Sequence, residues 1–270
     1  MKKDFEATAK EFLELASEQR LAILSNLYDK NSKIAIQAKD LGATVPEVFR
    51  NFERMAKANL ITKNPEGDYS ITTYGKLVYE HMSSIRFMTE NKKYFQNHTF
   101  GDLPTKFLQR IGALEGGKQI KGFVNLMEYW KDIYKNADKY IFNILYEVPF
   151  NKELVEPLVK KLQGGVKLCS ILSDNAIMSK DRKDVHHKLG LKKLIEQGMI
   201  ERKIKENVSV VLILNEKQAC VAFPTKNGDV DLSDGYYGES KEFQEWCRDY
   251  FDYCWSNASQ FNESRLKNGG

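Results

Sequence analysis

Residues 32–75 run SKIAIQAKDLGATVPEVFRNFERMAKANLITKNPEGDYSITTYG. The apolar pattern of a first helix, about Ile34 to Leu41, stops at Gly42-Ala43. A second helix has a clear start. Thr44 suits an N-cap, Pro46 suits the first turn, and Glu47 is placed to return a capping-box bond to Thr44. This helix is expected to run to about Asn59. Val48, Phe52 and Met55 recur at helical spacing and, with Leu60, form one apolar stripe that must pack on the helix before. Beyond it, Ile61-Thr62-Lys63 and Tyr69-Ser70-Ile71-Thr72 are short β-prone runs. They flank the Pro/Gly-containing stretch Asn64 to Asp68, so they predict a hairpin.

Helix, tight turn, helix and hairpin together make a winged helix-turn-helix, which usually lays its second helix in the major groove of DNA. The face opposite the stripe carries Pro46, Glu47, Phe49, Arg50, Asn51, Glu53 and Arg54. Arg50 or Arg54 can fork onto guanine, and Asn51 suits adenine. Phe49 either touches a thymine methyl or packs on the wing or the first helix. Lys63 and Asn64 can meet phosphate, whereas Glu66 and Asp68 at the wing tip cannot. The candidate DNA-contacting set is Thr44, Pro46, Glu47, Phe49, Arg50, Asn51, Arg54, Lys57, Lys63 and Asn64. The competing reading leaves these side chains simply solvated.

These residues resemble the ArsR/MarR-like winged helices of archaeal transcriptional regulators. The shared features are the Ser-Glu-x-Arg helix start at Ser17 to Arg20, the V-x-x-x-F-x-x-M helix, the NLI before the wing and YSITTYG after it. Asn59 stands where such families usually have glycine. Asparagine is the next most tolerant residue at a left-handed helix end.

The 270 residues leave room for one large domain or two ordinary ones. No apolar run approaches the roughly 20 residues that span a bilayer. Met1-Lys2-Lys3-Asp4 leads into a charged amphipathic segment without a signal-peptide core. The cysteines at 169, 220, 247 and 254 form no CxxC pair, so a cytoplasmic chain with reduced thiols is expected. The net charge is only +4. Residues 1–90 carry 13 basic against 13 acidic side chains, a poor general attractor for phosphate. Thr44 to Lys63 is locally basic, with Arg50, Arg54, Lys57 and Lys63 against Glu47 and Glu53.

Ahead of the turn, Phe5, Ala9, Phe12, Leu13 and Ala16 fit one face of a first helix. Ser17 then caps another containing Leu21, Leu24, Leu27 and Tyr28, and Asp29 to Ser32 is a polar break. After Gly75, Tyr74, Leu77, Val78, His81, Met82, Ile85 and Met88 predict a long helix with a narrow apolar seam, which needs a partner. That partner is either a helix of the same chain or the same helix of a second copy. Further on, Asp102 is expected to cap a short helix with Pro104 in its first turn. Phe123 to Ala137 is a second amphipathic helix.

From Tyr140 the period changes. Tyr140–Tyr146 and Val166–Leu172 are strands around a helix at Leu154–Leu162, a βαβ crossover. Asp184 to Gly198 is helical, Glu201 to Lys205 a strand, and Val208 to Phe223 an antiparallel hairpin turning at Asn215-Glu216-Lys217. Ser240 to Ala258 is an aromatic helix. This half resembles the archaeal methanogenesis-regulator (FilR-type) transcription factors, which follow a winged helix with such a domain. The resemblance rests on F-x-x-H…LP at Phe95 to Pro104 and on G-x-S-x-x-F-x-x-W-C-x-x-x-F-x-Y-x-W from Gly238 to Trp255.

The expected fold is therefore mixed α/β. Residues 1–75 would be the winged helix, 76–98 a dimerisation helix, and 99–270 an α/β effector-binding or dimerisation domain with a mixed sheet. Some related regulator domains look like phospholipase D folds, whose chemistry needs H-x-K-x4-D twice. His186-His187-Lys188 supplies one H-x-K, but Lys193 stands at the aspartate position and no second copy exists. There is no Walker A, HExxH, GxSxG or GxGxxG after a strand. Asp229, Asp231 and Asp234 lack EF-hand spacing. No enzyme, cofactor or metal is expected. Double-stranded DNA, a second copy of the chain and a small-molecule effector are the expected partners. Tyr146, Ser173, Asp174 and Asn175, at strand ends, are the candidate effector contacts. A protein-interaction role for a winged helix that does not touch DNA is the first alternative, and a phospholipase D-like hydrolase with a degenerate site the second.

Overall fold

The computed structural model describes residues 5–147, 152–178, 190–262 and 267–268. The chain forms two compact units, Met1–Ile85 and Arg86–Gly270.

The first unit runs α1 (Glu6–Leu15), α2 (Glu18–Asp29), α3 (Ile34–Asp40), α4 (Val45–Lys57), β1 (Ile61–Lys63), β2 (Tyr69–Ile71) and the start of α5 (Thr73–Glu90). The apolar stripe of α4 is its core. Val48, Phe52, Met55 and Leu60 are fully buried against Ile23, Leu24 and Leu27 of α2. Phe52 meets Tyr69 of the wing edge-on, ring centres 4.7 Å apart. Both helices of the turn end alike. Gly42 follows α3 at φ 61°, with Ala43 N–H on the Ala38 carbonyl at 2.9 Å. Asn59 follows α4 at φ 57°, with Leu60 N–H on the Met55 carbonyl at 2.9 Å and Asn59 N–H on Ala56 at 3.0 Å. These are Schellman closures, in which one left-handed residue turns the chain and satisfies the orphan carbonyls.

Two features differ from the sequence expectation. The polar break contains Ser32, which is buried and pairs with Tyr69 through two backbone bonds of 3.0 and 2.9 Å, adding a third short edge to the wing. Helix α1 buries none of its residues, and its Phe5, Phe12 and Leu13 are exposed.

The second unit is built on an eight-stranded sheet. Its strands are β3 (Lys118–Lys121), β4 (Tyr140–Leu145), β5 (Lys167–Ser173), β7 (Ile200–Lys205), β8 (Val211–Leu214), β9 (Ala219–Ala222), β10 (Asp234–Gly238) and β11 (Ser259–Gln260). Two-residue strands β6 (Ile177–Met178) and β12 (Lys267–Asn268) pair separately. The large sheet is ordered β11-β7-β5-β4-β8-β9-β10-β3. The neighbours β4, β5 and β7 are parallel and the other pairs antiparallel. Helices lie on both faces: α6 (Thr105–Gln109) and α10 (Lys241–Asn257) on one, α7 (Phe123–Asn136), α8 (Lys152–Gln163) and α9 (Leu191–Glu196) on the other. The β4–α8–β5 crossover and the β8–β9 hairpin stand as the sequence predicts. Phe243, Trp246, Cys247, Tyr250, Phe251 and Cys254 form the buried face of α10.

Strands β3 and β10 carry too little apolar alternation to be seen in advance. Each is set by antiparallel pairing, Gly235↔Ile120 among others. Asp102 does not cap α6, whose N-cap is Pro104. Its carboxylate instead takes bonds from Lys205 Nζ (2.5 Å) and Ser209 Oγ (2.7 Å). Two of the three aspartates that lack EF-hand spacing are structural. Asp231 bonds His98 Nε2 at 3.0 Å and accepts Ser233 N–H at 2.7 Å, while His98 stacks on Tyr94. Asp234 accepts from the Gln119 amide at 2.8 Å. The predicted helix over 184–198 is described only from residue 190.

A Cβ on Gly75 would lie 2.0 Å from the Leu60 carbonyl oxygen. Gly75→Ala is thus expected to destabilise the chain by at least the upper part of about 1–3 kcal/mol, whereas Asn59→Gly stays within about 0.5 kcal/mol; urea titrations check both. Burial pushes the Asp102 and Asp231 carboxyls up, but bonds from Lys205 and Ser209, and from Ser233 and His98, outweigh it and leave both below the usual range. Their stabilisation is full above an unfolded pKa of about 4 and lost as pH falls through the lower folded value. Asp231→Asn and Asp102→Asn should flatten the fall in urea midpoint between pH 6 and pH 3.

Candidate nucleic-acid interface

Helix α4 projects a ready set of side chains because its apolar stripe is fully used by the core. Its first turn is held by Glu47, whose carboxylate accepts the Thr44 N–H at 3.3 Å and the Thr44 hydroxyl at 3.1 Å. Pro46 occupies the first turn, where no N–H is missed. Thr44 and Glu47 are thus engaged in starting the helix, which fixes the angle at which the next turns are presented.

Those turns divide into bound and exposed residues. Arg54 forks onto Glu14 of α1 through two bonds of 2.9 Å. That hydrogen bond holds the Glu14 carboxyl below its usual range and the Arg54 guanidinium above its own. Asn51 donates to Gln19 Oε1 at 2.8 Å and accepts from Arg20 Nη1 at 3.4 Å. Phe49 remains 45% exposed, and Arg50 and Lys57 are exposed beside it. On the wing, Lys63 is exposed, 6.0 Å above the Tyr69 ring, and Asn64 accepts from Ser70 Oγ at 3.1 Å. In the free chain, then, the face offers Arg50, Lys57, Lys63 and the Phe49 ring, while Arg54 and Asn51 are held by the helices in front.

Sequence reasoning named none of Glu14, Gln19 or Arg20 as part of this face. Arg20 is 7% exposed and donates to the Glu14 carbonyl at 2.5 Å and the Leu13 carbonyl at 3.0 Å. A cation on the last carbonyls of a helix satisfies orphan acceptors and complements the helix dipole. The signal was present: an arginine three residues into a new helix, directly after another helix ends.

In the second unit, Tyr146, Ser173 and Asn175 line one open pocket of about 590 Å³ at the carboxyl ends of β4 and β5, with Glu147, Asn207 and Asp229. Asp174 instead directs its carboxylate to the Asn175 amide at 3.2 Å. His186, His187 and Lys188 lie outside the described residues. Among the described residues no group of three or more His, Cys, Asp or Glu could hold a metal ion, and no helix is long and apolar enough to cross a membrane.

No family model matches the chain, and no curated protein matches it. Among solved structures it is similar to TrmBL2, an archaeal chromatin protein described as showing a novel mode of DNA binding. That likeness is at 12% identity over 86% of this chain and 88% of the other, with a TM-score of 0.42. The chain is also similar to Nuc, a phospholipase D family member from Salmonella typhimurium, at 11% identity over 50% of this chain and 90% of the other, TM-score 0.34. A third likeness is to the dimethyltransferase RosA from Streptomyces davawensis, at 13% identity over 75% and 65%, TM-score 0.28. At TM-scores this low, none of these likenesses decides a function.

Removing Arg20 leaves two helix-end carbonyls and Asn51 without their donor. Arg20→Met is expected to cost about 1–3 kcal/mol and to raise the amide-exchange rates of α1 above those of α2, measured by hydrogen exchange.

Proposed function

We propose that this chain is a cytoplasmic, sequence-specific regulator of transcription that binds double-stranded DNA as a homodimer. In this reading residues 1–75 bind DNA, residues 76–98 dimerise, and residues 99–270 sense a small-molecule effector. The observation that carries it is the geometry of α4. One face is consumed by the core, and the other, entered through a capping box and bounded by a wing, presents Phe49, Arg50 and Lys57 to solvent. Arg50 then reads a base edge, Phe49 touches a thymine methyl, and Lys57 and Lys63 meet phosphates. Arg54 and Asn51 join once DNA phosphates compete for the Arg54 guanidinium. The apolar side chains left exposed on α1 and on α5 (Leu77, Ile85 and Met88) support a second copy as the dimer partner. The pocket that holds Tyr146, Ser173 and Asn175 is the place for the effector, at the strand ends where open α/β sheets bind ligands.

Two observations favour the competing role of binding a protein through the same face. The balance of charge over residues 1–90 is zero, and an exposed phenylalanine suits a protein surface as well as a groove.

Fluorescence anisotropy on fragments from upstream of the chain's own gene, across a salt series, separates the two. Preferential binding to one fragment is expected, with Arg50→Ala weakening it by about 1–3 kcal/mol. Lys57→Ala is expected to reduce the salt slope by about one. Glu14→Gln releases Arg54 and removes a nearby negative charge, so it should tighten binding. An absence of affinity even at low salt would sink the reading. In light scattering, Leu77→Glu with Ile85→Glu is expected to convert the dimer to a monomer.

A further inference from the structure

The sheet face beneath α8 and α9 is aliphatic except for one polar row. On β4, Asn143 sits between Ile141 and Leu145; on β5, Ser170 sits between Leu168 and Leu172; on β7, Arg202 sits between Ile200 and Ile204. The registers Asn143↔Ser170 and Ser170↔Arg202 set the three side by side across three parallel strands. Asn143 and Ser170 are buried. Ser170 donates to Asn143 Oδ1, and Asn143 bonds the buried Tyr134 hydroxyl of α7. Arg202 is engaged as well, its guanidinium 3.9 Å from the centre of the Phe261 ring. Burying a polar group is costly unless it is hydrogen-bonded, and here the bonds are made inside the protein.

This row forms part of the lining of a cavity of about 120 Å³. Its buried apolar walls are Leu145, Leu168, Leu172 and Ile200 of the sheet, Leu162 of α8 and Leu191 of α9. Val155 and Leu158 of α8 and Ile195 of α9 are only half-buried, which places the mouth between the two helices. Among the described residues, the buried side-chain nitrogens and oxygens that lack a partner lie elsewhere, and none belongs to this lining. Water needs two to four polar partners in such a place, so it gains little by entering. A charged head would give up its hydration where the donors and acceptors are already taken. A hydrocarbon does the reverse, because it restores dispersion contacts to wall atoms that face no neighbour. An apolar cavity of roughly 150 Å³ holds a benzene molecule, so this one suits a body of about five carbons.

We infer that this cavity binds one small uncharged apolar molecule, a branched or cyclic hydrocarbon body of about five carbons, among the leucines of α8, α9 and the sheet. The polar row is its closed floor and makes no hydrogen bond to it. This site is separate from the strand-end pocket of Tyr146, and binding here does not depend on the chain binding DNA.

The test uses the full chain without DNA. Cyclopentane, benzene and benzoate are each added at pH 7, with thermal unfolding and leucine-methyl NMR as readouts. Both hydrocarbons are expected to bind one per chain, to raise the melting temperature and to shift the methyl resonances of Leu145, Leu162 and Leu172. Benzoate carries the same ring with a charge and is expected to bind at least about tenfold more weakly than benzene. Leu158→Phe, which fills the mouth, should abolish the hydrocarbon shifts. Ile195→Phe closes it from the other helix and serves if the first variant does not fold; if neither folds, the methyl map and the benzoate comparison decide. Methyls and melting temperature left unmoved by saturating hydrocarbon would overturn the proposal. So would benzoate binding as tightly as benzene, or shifts that persist in a folded occluding variant.

Discussion

The corner at Asn59 and Leu60 holds the winged unit together. Asn59 takes a left-handed conformation, so the Leu60 N–H can close α4 on the Met55 carbonyl. The Leu60 carbonyl then receives the Thr72 N–H at 3.0 Å, tying the far strand of the wing to the end of α4. Thr72 Oγ1 donates to the Asn59 carbonyl at 2.6 Å and accepts the Gly75 N–H at 2.9 Å, which starts α5. Gly75 has no Cβ because the Leu60 oxygen already occupies that space. Helix end, wing and next helix thus meet at one peptide unit. The side chain of Leu60 is fully buried in the same core, so backbone and packing fix the corner together.

The consequence for α4 is that its orientation is set from behind, leaving its front to chemistry. That front is only partly open. Arg20 joins the end of α1 to Asn51, and Glu14 takes Arg54. Half-exposed ion pairs of this kind contribute little to stability. They can instead hold a cation in a defined place until a stronger anion arrives. On the function proposed above, phosphate is such an anion, and the Glu14–Arg54 pair sets a modest threshold against unspecific binding.

In the second unit the sheet separates two different cores. One face packs against aromatic residues, where Phe107, Trp246 and Tyr250 interlock. The opposite face is aliphatic but crossed by the Asn143–Ser170–Arg202 row. Large rings that meet edge to face or offset bury much apolar area. On the aliphatic face a cavity of about 120 Å³ lies among Leu145, Leu158, Leu162 and Leu172.

What was legible in the sequence was whatever local chemistry dictates. The Thr44–Glu47 cap, the stripe Val48-Phe52-Met55-Leu60, the left-handed Asn59, the βαβ crossover and the aromatic face of α10 all follow from spacing and from the preferences of single residues. The strands β3 and β10 were not legible, because each is specified by its partner rather than by its own pattern. Likewise the side chains of α4 could be named, but their division into bound and exposed could not. Glu14 and Arg54 lie forty positions apart, and no periodicity connects them. The polar row had the same character: Asn143, Ser170 and Arg202 are unremarkable in their own strands and come side by side only through the register of a parallel sheet. Local propensity fixes elements, whereas a binding surface is made of residues distant in the chain, and only folding brings those together.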